Sequence, residues 1–176
     1  LAEWRLNFDE IKASAERLKT NCEHFQMSEP KFDGLDAVAA DLDATEGSWK
    51  LYEDYSKDLN ELGVQDWITF RTKLFDAQDL VAKWVDTIKQ RARDGNLDSV
   101  TEHISHQLDK LRKALPALKF MRGEPYKEEH WSQLFMKLKF PRGVRLESLT
   151  FSHFLGSLDL VVENAAFAKD MTARAQ

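Results

Sequence analysis

One cysteine, four prolines and seven glycines in 176 residues leave little room for several kinds of chemistry. A lone thiol, Cys22, can close no internal disulfide and build no cysteine-based zinc site, which suits a reducing compartment. The seven glycines are followed by Leu35, Ser48, Val64, Asn96, Glu124, Val144 and Ser157. None precedes a lysine, so the glycine-lysine cradle of a P-loop is missing, and no cofactor-binding residue is assigned. No apolar run approaches the roughly 20 residues needed to span a bilayer, and no signal-type hydrophobic stretch opens the chain, so membrane insertion is not expected. No strongly basic face or recognition motif points to nucleic acid.

What remains is a charged, aromatic-rich sequence: 31% charged, 43% hydrophobic, with five tryptophans and 11 phenylalanines. Its net charge of −5 is uneven. Residues 1–66 hold 16 acidic against seven basic side chains, whereas residues 119–145 hold three against seven. Such a split suits docking within one polypeptide or onto an acidic partner. The first residues, Leu1-Ala2-Glu3-Trp4, and the last, Arg174-Ala175-Gln176, read as helical sequence cut from something longer.

Trp67, Phe70, Leu74, Ala77, Val81, Trp84 and Ile88 step by three and four residues, which predicts one face of a long helix capped by Asp66. A first helix is expected over about 3–26, with Trp4, Phe8, Ile11, Ala15, Leu18, Cys22 and Phe25 on one side. Pro30 ends it, and Asp33 suits the cap of a second helix that carries Leu35, Val38, Leu42, Trp49, Tyr52 and Leu59 as far as Gly63. Gly95 fits a left-handed turn, after which Leu97, Val100, Ile104, Leu108, Leu111, Leu115 and Leu118 define a fourth helix that Pro116 should kink or end early. Pro125 suits a first helical position for a fifth helix, from Tyr126 to about Lys139. A last helix should run from near Thr150 to the end. No segment alternates as a strand would. The reading is all-α: an elongated antiparallel bundle of about six helices, in stretches 1–62, 63–122 and 123–176.

Polar clusters offer little chemistry, and no catalytic or metal-binding residue is assigned. His103 and His106 with Glu102 and Asp109 have helical spacing for a metal, yet a solvated face opposite Ile104 and Leu108 explains them better. His130 beside Trp131 lacks a nucleophile or carboxylate tied to it, so packing is the stronger reading. Asp41, Asp43, Glu46, Glu53 and Asp54 do not match a calcium loop. Lys137, Lys139, Arg142 and Arg145 form a basic cluster that touches an acidic surface or only confers solubility. The tryptophans at 4, 49, 67, 84 and 131 read as core or inter-helix anchors.

Three blocks carry a resemblance. The first is Asp66-Trp67-Ile68-Thr69-Phe70-Arg71-Thr72-Lys73 with Phe75 and Trp84. The second runs Leu115-Pro116-Ala117-Leu118-Lys119-Phe120-Met121-Arg122-Gly123-Glu124, then His130-Trp131 and Leu134-Phe135. The third is Leu138 to Gly143 with Leu146, Leu149 and the closing Arg174-Ala175-Gln176. In order and spacing they resemble the neck and N-terminal linker region of dynein heavy chains, most of all the cytoplasmic dynein 2 branch of intraflagellar transport.

The resemblance implies a helical segment on the N-terminal side of the mechanical linker, between a cargo-binding tail and an AAA+ ring. It implies a parent ATPase that walks to microtubule minus ends and drives retrograde transport in cilia. ATP and Mg²⁺ would bind in that ring. Partners would be the rest of the heavy chain, a second heavy chain, intermediate, light-intermediate and light chains, and microtubules. The location would be cytoplasm and cilium or flagellum. Trp67, Phe70, Arg71, Trp84, Leu115, Pro116, Arg122, Gly123, Glu124, His130 and Trp131 would be packing residues of the family pattern. An axonemal dynein linker and a spectrin-like scaffold module are the alternatives.

Overall fold

The computed structural model describes residues 1–176. Nine α-helices account for most of the chain: α1 (Ala2–His24), α2 (Asp33–Gly63), α3 (Trp67–Phe70), α4 (Leu74–Arg93), α5 (Ser99–Leu118), α6 (Glu128–Lys137), α7 (Phe151–Leu155), α8 (Leu158–Glu163) and α9 (Ala165–Ala175). Short 3₁₀ turns lie at Arg71–Lys73, Lys119–Met121 and Leu146–Ser148. The all-α expectation holds, with more and shorter helices than the six read from periodicity. The only strand-like feature is one antiparallel bridge between Asp66 and Thr150. There Trp67 donates its N–H to the Leu149 carbonyl (2.8 Å) and Phe151 donates to Gln65 (3.0 Å).

The chain divides into two compact units, Leu1–Leu51 and Tyr52–Gln176, with α2 contributing to both. In the first unit α1 returns along the start of α2. The Arg5 guanidinium grips Glu46 through both carboxylate oxygens, at 2.9 and 2.7 Å, and also binds Asp43. Those acids therefore serve a side-chain clasp. The long apolar side expected of α1 is only partly used: Phe8 and Ala15 are buried, while Trp4, Ile11, Leu18 and Phe25 face outward. On α2 Val38 and Trp49 are likewise exposed. A stripe read from sequence says which residues share a face, not whether that face is covered.

The second unit holds most of the core, with α5 between α4 and α8. Asp98 caps α5 by accepting the Thr101 N–H at 2.8 Å, and Asp66 caps α3 through the Thr69 N–H at 2.9 Å. Gly95 takes φ +76° in the turn between α4 and α5. Asp94–Asp98 is a short link, so the two helices return antiparallel. α2 adds Tyr55, which is 1% exposed and was absent from the stripe read on that helix.

Four further expectations need correction. The long third helix is interrupted, because Arg71–Lys73 tightens into a 3₁₀ turn between α3 and α4. Pro116 does not end α5: the helix continues to Leu118, since proline in the final turn forfeits a single bond to Arg112. Pro125 is not the first residue of α6 but lies in a turn closed by Tyr126 N–H to the Gly123 carbonyl at 3.1 Å, and α6 starts at Glu128. The last helix is three helices. Gly156 closes α7, and Asn164 separates α8 from α9 while its side-chain amide donates to Leu160 O at 2.8 Å.

Candidate functional site

Residues distant in sequence converge on Trp67. Its indole is fully buried and its Nε1–H donates to the Met121 carbonyl at 3.3 Å, across 54 positions. Phe154 lies 4.1 Å from it, ring centre to ring centre, and Phe151 stacks at 6.1 Å. Phe70, one turn along, meets Phe151 at 4.5 Å. Contacts then continue from Phe154 to Phe140 (5.3 Å), Phe135 (5.6 Å), Trp131 (5.9 Å) and Tyr126 (5.3 Å). α3, α7, α6 and the loops flanking α6 are thus stitched by one continuous run of rings. Such pairs add about 0.5–1.5 kcal/mol each beyond the area they bury.

Backbone geometry supports the same node. Arg71, on the 3₁₀ turn after α3, donates from Nη1 to the Arg122 carbonyl at 2.7 Å, while the Nε atoms of Arg71 and Arg122 are buried without a partner. Gly123 has φ +66°, and a Cβ there would stand 2.2 Å from Trp131 Cζ2 and 2.9 Å from Tyr126 Cδ2. Only glycine lets the chain turn this close to the indole. His130 takes a capping role: its Nδ1 accepts the Lys127 N–H at 3.0 Å at the start of α6. Tyr126 places its hydroxyl within 3.0–3.1 Å of Thr172 Oγ1 and the Phe120 and Ala168 carbonyls, tying the node to α9. Burial raises its phenol pKa, partly offset by the Thr172 bond.

Trp84 belongs to a second cluster. It meets Tyr55 edge-on at 5.4 Å and donates Nε1–H to Asp58 Oδ2 at 2.9 Å, an oxygen also held by Lys83 at 2.6 Å. Lys83, then Trp84, hold the Asp58 carboxyl below the usual range against the opposing effect of burial. Burial pushes the Tyr55 phenol up to about 12.

The remaining sequence candidates scatter. Leu115 is buried in α5, whereas Pro116 and Glu124 are exposed. Of the five tryptophans, 67, 84 and 131 are core; Trp4 and Trp49 are 72% and 49% exposed. His103 and His106 line a cleft of about 310 Å³ with Tyr55, Leu59 and Lys110, where His103 Nε2 is engaged by Gln107 at 2.9 Å. No group of three or more His, Cys, Asp and Glu side chains is placed to hold a metal ion. Lys137 rests over the Phe167 ring at 5.4 Å. Tyr55, Tyr126, Phe151 and Phe154 were missed as anchors. The three-residue step between the two phenylalanines was a usable signal; the partners of the tyrosines are too distant in sequence to be read from it.

The family described as dynein heavy chain, N-terminal region 2, matches residues 35–176. The chain is 32% identical over its whole length to human cytoplasmic dynein 2 heavy chain 1, and 33% identical over 99% of its length to that of Tripneustes gratilla. Human dynein axonemal heavy chain 6 is 21% identical over 71% of the chain. The chain spans about 4% of the length of either dynein 2 relative. No solved structure matches it. No helix is long and apolar enough to cross a membrane. Trp67 and Phe70 of the first block, Trp131 and Phe135 of the second and Phe140 of the third meet in the aromatic node, and the family match covers all three blocks: the chain belongs to the dynein heavy chain N-terminal region 2 family.

Proposed function

We propose that this chain is a mechanical segment of a motor heavy chain, at the neck and N-terminal part of the linker that joins a cargo-binding tail to an AAA+ ring. The observation that carries the reading is the run of rings from Trp67 to Tyr126, which fixes α3, α6 and α7 against one another. Packed aromatic cores have low compressibility and pass on displacement rather than absorbing it, which a force-bearing segment requires. Catalysis is assigned elsewhere: ATP and Mg²⁺ belong to the ring of the parent chain, and this segment contributes packing.

Whole-length identity to dynein 2 heavy chains, against a partial and lower match to an axonemal one, supports an intraflagellar-transport motor. In this reading the parent moves toward microtubule minus ends, works in cytoplasm and cilium or flagellum, and carries material back from the ciliary tip. Its partners are the rest of the heavy chain, a second heavy chain, the tail-bound accessory chains and the microtubule.

Trp67→Ala and Trp84→Ala in the full-length motor test the proposal. Gliding should slow while basal ATP turnover stays near that of the parent. Normal gliding by a folded variant would overturn it.

A further inference from the structure

Three parts of the second unit enclose the cleft of about 310 Å³ that His103 and His106 line: α2 through Tyr55 and Leu59, one face of α5, and the turn from α7 into α8. That volume is well beyond what one water needs and lies at the lower end for small-molecule sites, which run from about 300 to 1,000 Å³. Leu59, Leu111, Leu155 and Leu158 give the cleft an apolar wall. Its polar side is rich in donors, namely Tyr55, His103, His106, Gln107 and Lys110, and Asp159 is the single acidic side chain on it.

Tyr55 is only 1% exposed and its ring meets Trp84, yet its hydroxyl makes no hydrogen bond within the chain. Buried phenols ordinarily find a partner, as Tyr126 does with Thr172 and two carbonyls. Burial first, and Tyr52 second, push the titration of Tyr55 up to about 12, so at neutral pH it keeps its proton and stands as an unused donor. Lys110 supplies another. Its ammonium gives one of three N–H groups to Asp159 Oδ2 at 2.8 Å, and that carboxylate is 70% exposed. An ion pair so open to water is weak, and its acid can be exchanged for a different one. The flexible four-carbon stem of Lys110 lets the ammonium follow. Gln107 and His103 Nε2 already satisfy each other at 2.9 Å.

We propose that this cleft binds a small monocarboxylate with an apolar body, its carboxylate accepting from the Tyr55 hydroxyl and the Lys110 ammonium in place of Asp159, and its body lying on the four leucines. A carboxylate answers a neutral O–H and an ammonium at once, and charge-assisted bonds of this kind are the stronger ones. The apolar wall selects against phosphate and bare ions, which gain nothing from leucine side chains. The site is independent of the mechanical role, since it is read by binding to the chain whereas the motor test reads movement.

Titration of the isotope-labelled 176-residue chain with phenylpropionate, followed by amide NMR shifts, tests it. The amides of Gln107, Leu111, Leu155 and Gly156 should move and saturate at millimolar probe, while those around Trp67 stay in place. Propionate, which lacks the body, and phenylpropanol, which lacks the charge, should each bind about tenfold more weakly. Tyr55→Phe should also weaken phenylpropionate about tenfold, while melting at neutral pH stays at or above that of the parent, because the ring is kept and an unpartnered hydroxyl is removed. Lys110→Gln should weaken it similarly. Asp159→Asn should tighten it several-fold, a gain that misfolding cannot produce. Shifts that never saturate, or phenylpropanol bound as tightly as phenylpropionate, would overturn the proposal. So would undiminished binding by Tyr55→Phe, which would leave the phenol outside the site.

Discussion

Gly123 and Trp131 approach so closely that a single added carbon would stand 2.2 Å from the indole. The φ of +66° at the same residue adds a second reason for glycine. Gly123→Ala should therefore destabilise the chain by roughly 3 kcal/mol or more, combining overpacking with a strained backbone. Gly95→Ala shares the positive φ but has open space around it, and should cost only about 1 kcal/mol. Denaturant melts of the two variants, side by side, check the difference.

The tryptophans offer a graded test of burial. Trp67→Ala removes a fully buried ring and should cost about 3–5 kcal/mol. Trp67→Phe keeps most of the packing but orphans the Met121 carbonyl, for about 1–3 kcal/mol. Trp4→Ala, at a position 72% exposed, should fall within about 0.5 kcal/mol of the parent chain. Thermal melts that rank Trp4→Ala beside Trp67→Ala would contradict the packing described.

Alkaline stability should depend on Tyr55. Its phenol titrates near 10.0 when unfolded and is pushed up to about 12 in the fold. The unfolded chain therefore loses the proton first, and the contribution, full below pH 10, is lost as pH rises from about 10 to about 12. Tyr126, shifted in the same direction, adds to this limb. Tyr55→Phe should make the melting temperature fall less steeply across that window. An unchanged slope would place the alkaline sensitivity elsewhere.

Asp58 works with the opposite sign. Held below the usual carboxylate range by Lys83 and Trp84, it stabilises the fold above the ordinary aspartate pKa. That contribution is lost as pH falls through the lowered folded value. Asp58→Asn should flatten the acid limb of a melting-temperature profile between about pH 5 and pH 2. An acid limb as steep as that of the parent would remove Asp58 from the account.

The stripe from Trp67 to Ile88 was legible because burial follows helical period, and six of its seven members lie in the core. Its interruption at Arg71–Lys73 was not, because a 3₁₀ turn of one residue triplet passes the stripe on without disturbing its spacing. The division of the last helix was available in principle from Gly156, Ser157 and Asn164, all weak helix formers, but the apolar rhythm of residues 151–171 overrode them. Trp4 and Trp49 were misread for a different reason: periodicity identifies a face, and only coordinates show what stands opposite. Part of the node stood in three separate blocks, and Tyr126, Phe151 and Phe154 stood in none of them. That Trp67, Met121 and Phe154 touch depends on how the helices are arranged, which local sequence does not encode.

The central claim concerns coupling, so the most direct measurement is the ratio of microtubule gliding velocity to ATP turnover in the full-length motor. Trp67→Phe should be compared there with Phe75→Ala, a control at a 56% exposed position. A segment that bears force predicts a lower ratio for Trp67→Phe and an unchanged one for Phe75→Ala. The same ratio for Trp67→Phe and the parent motor would contradict the account.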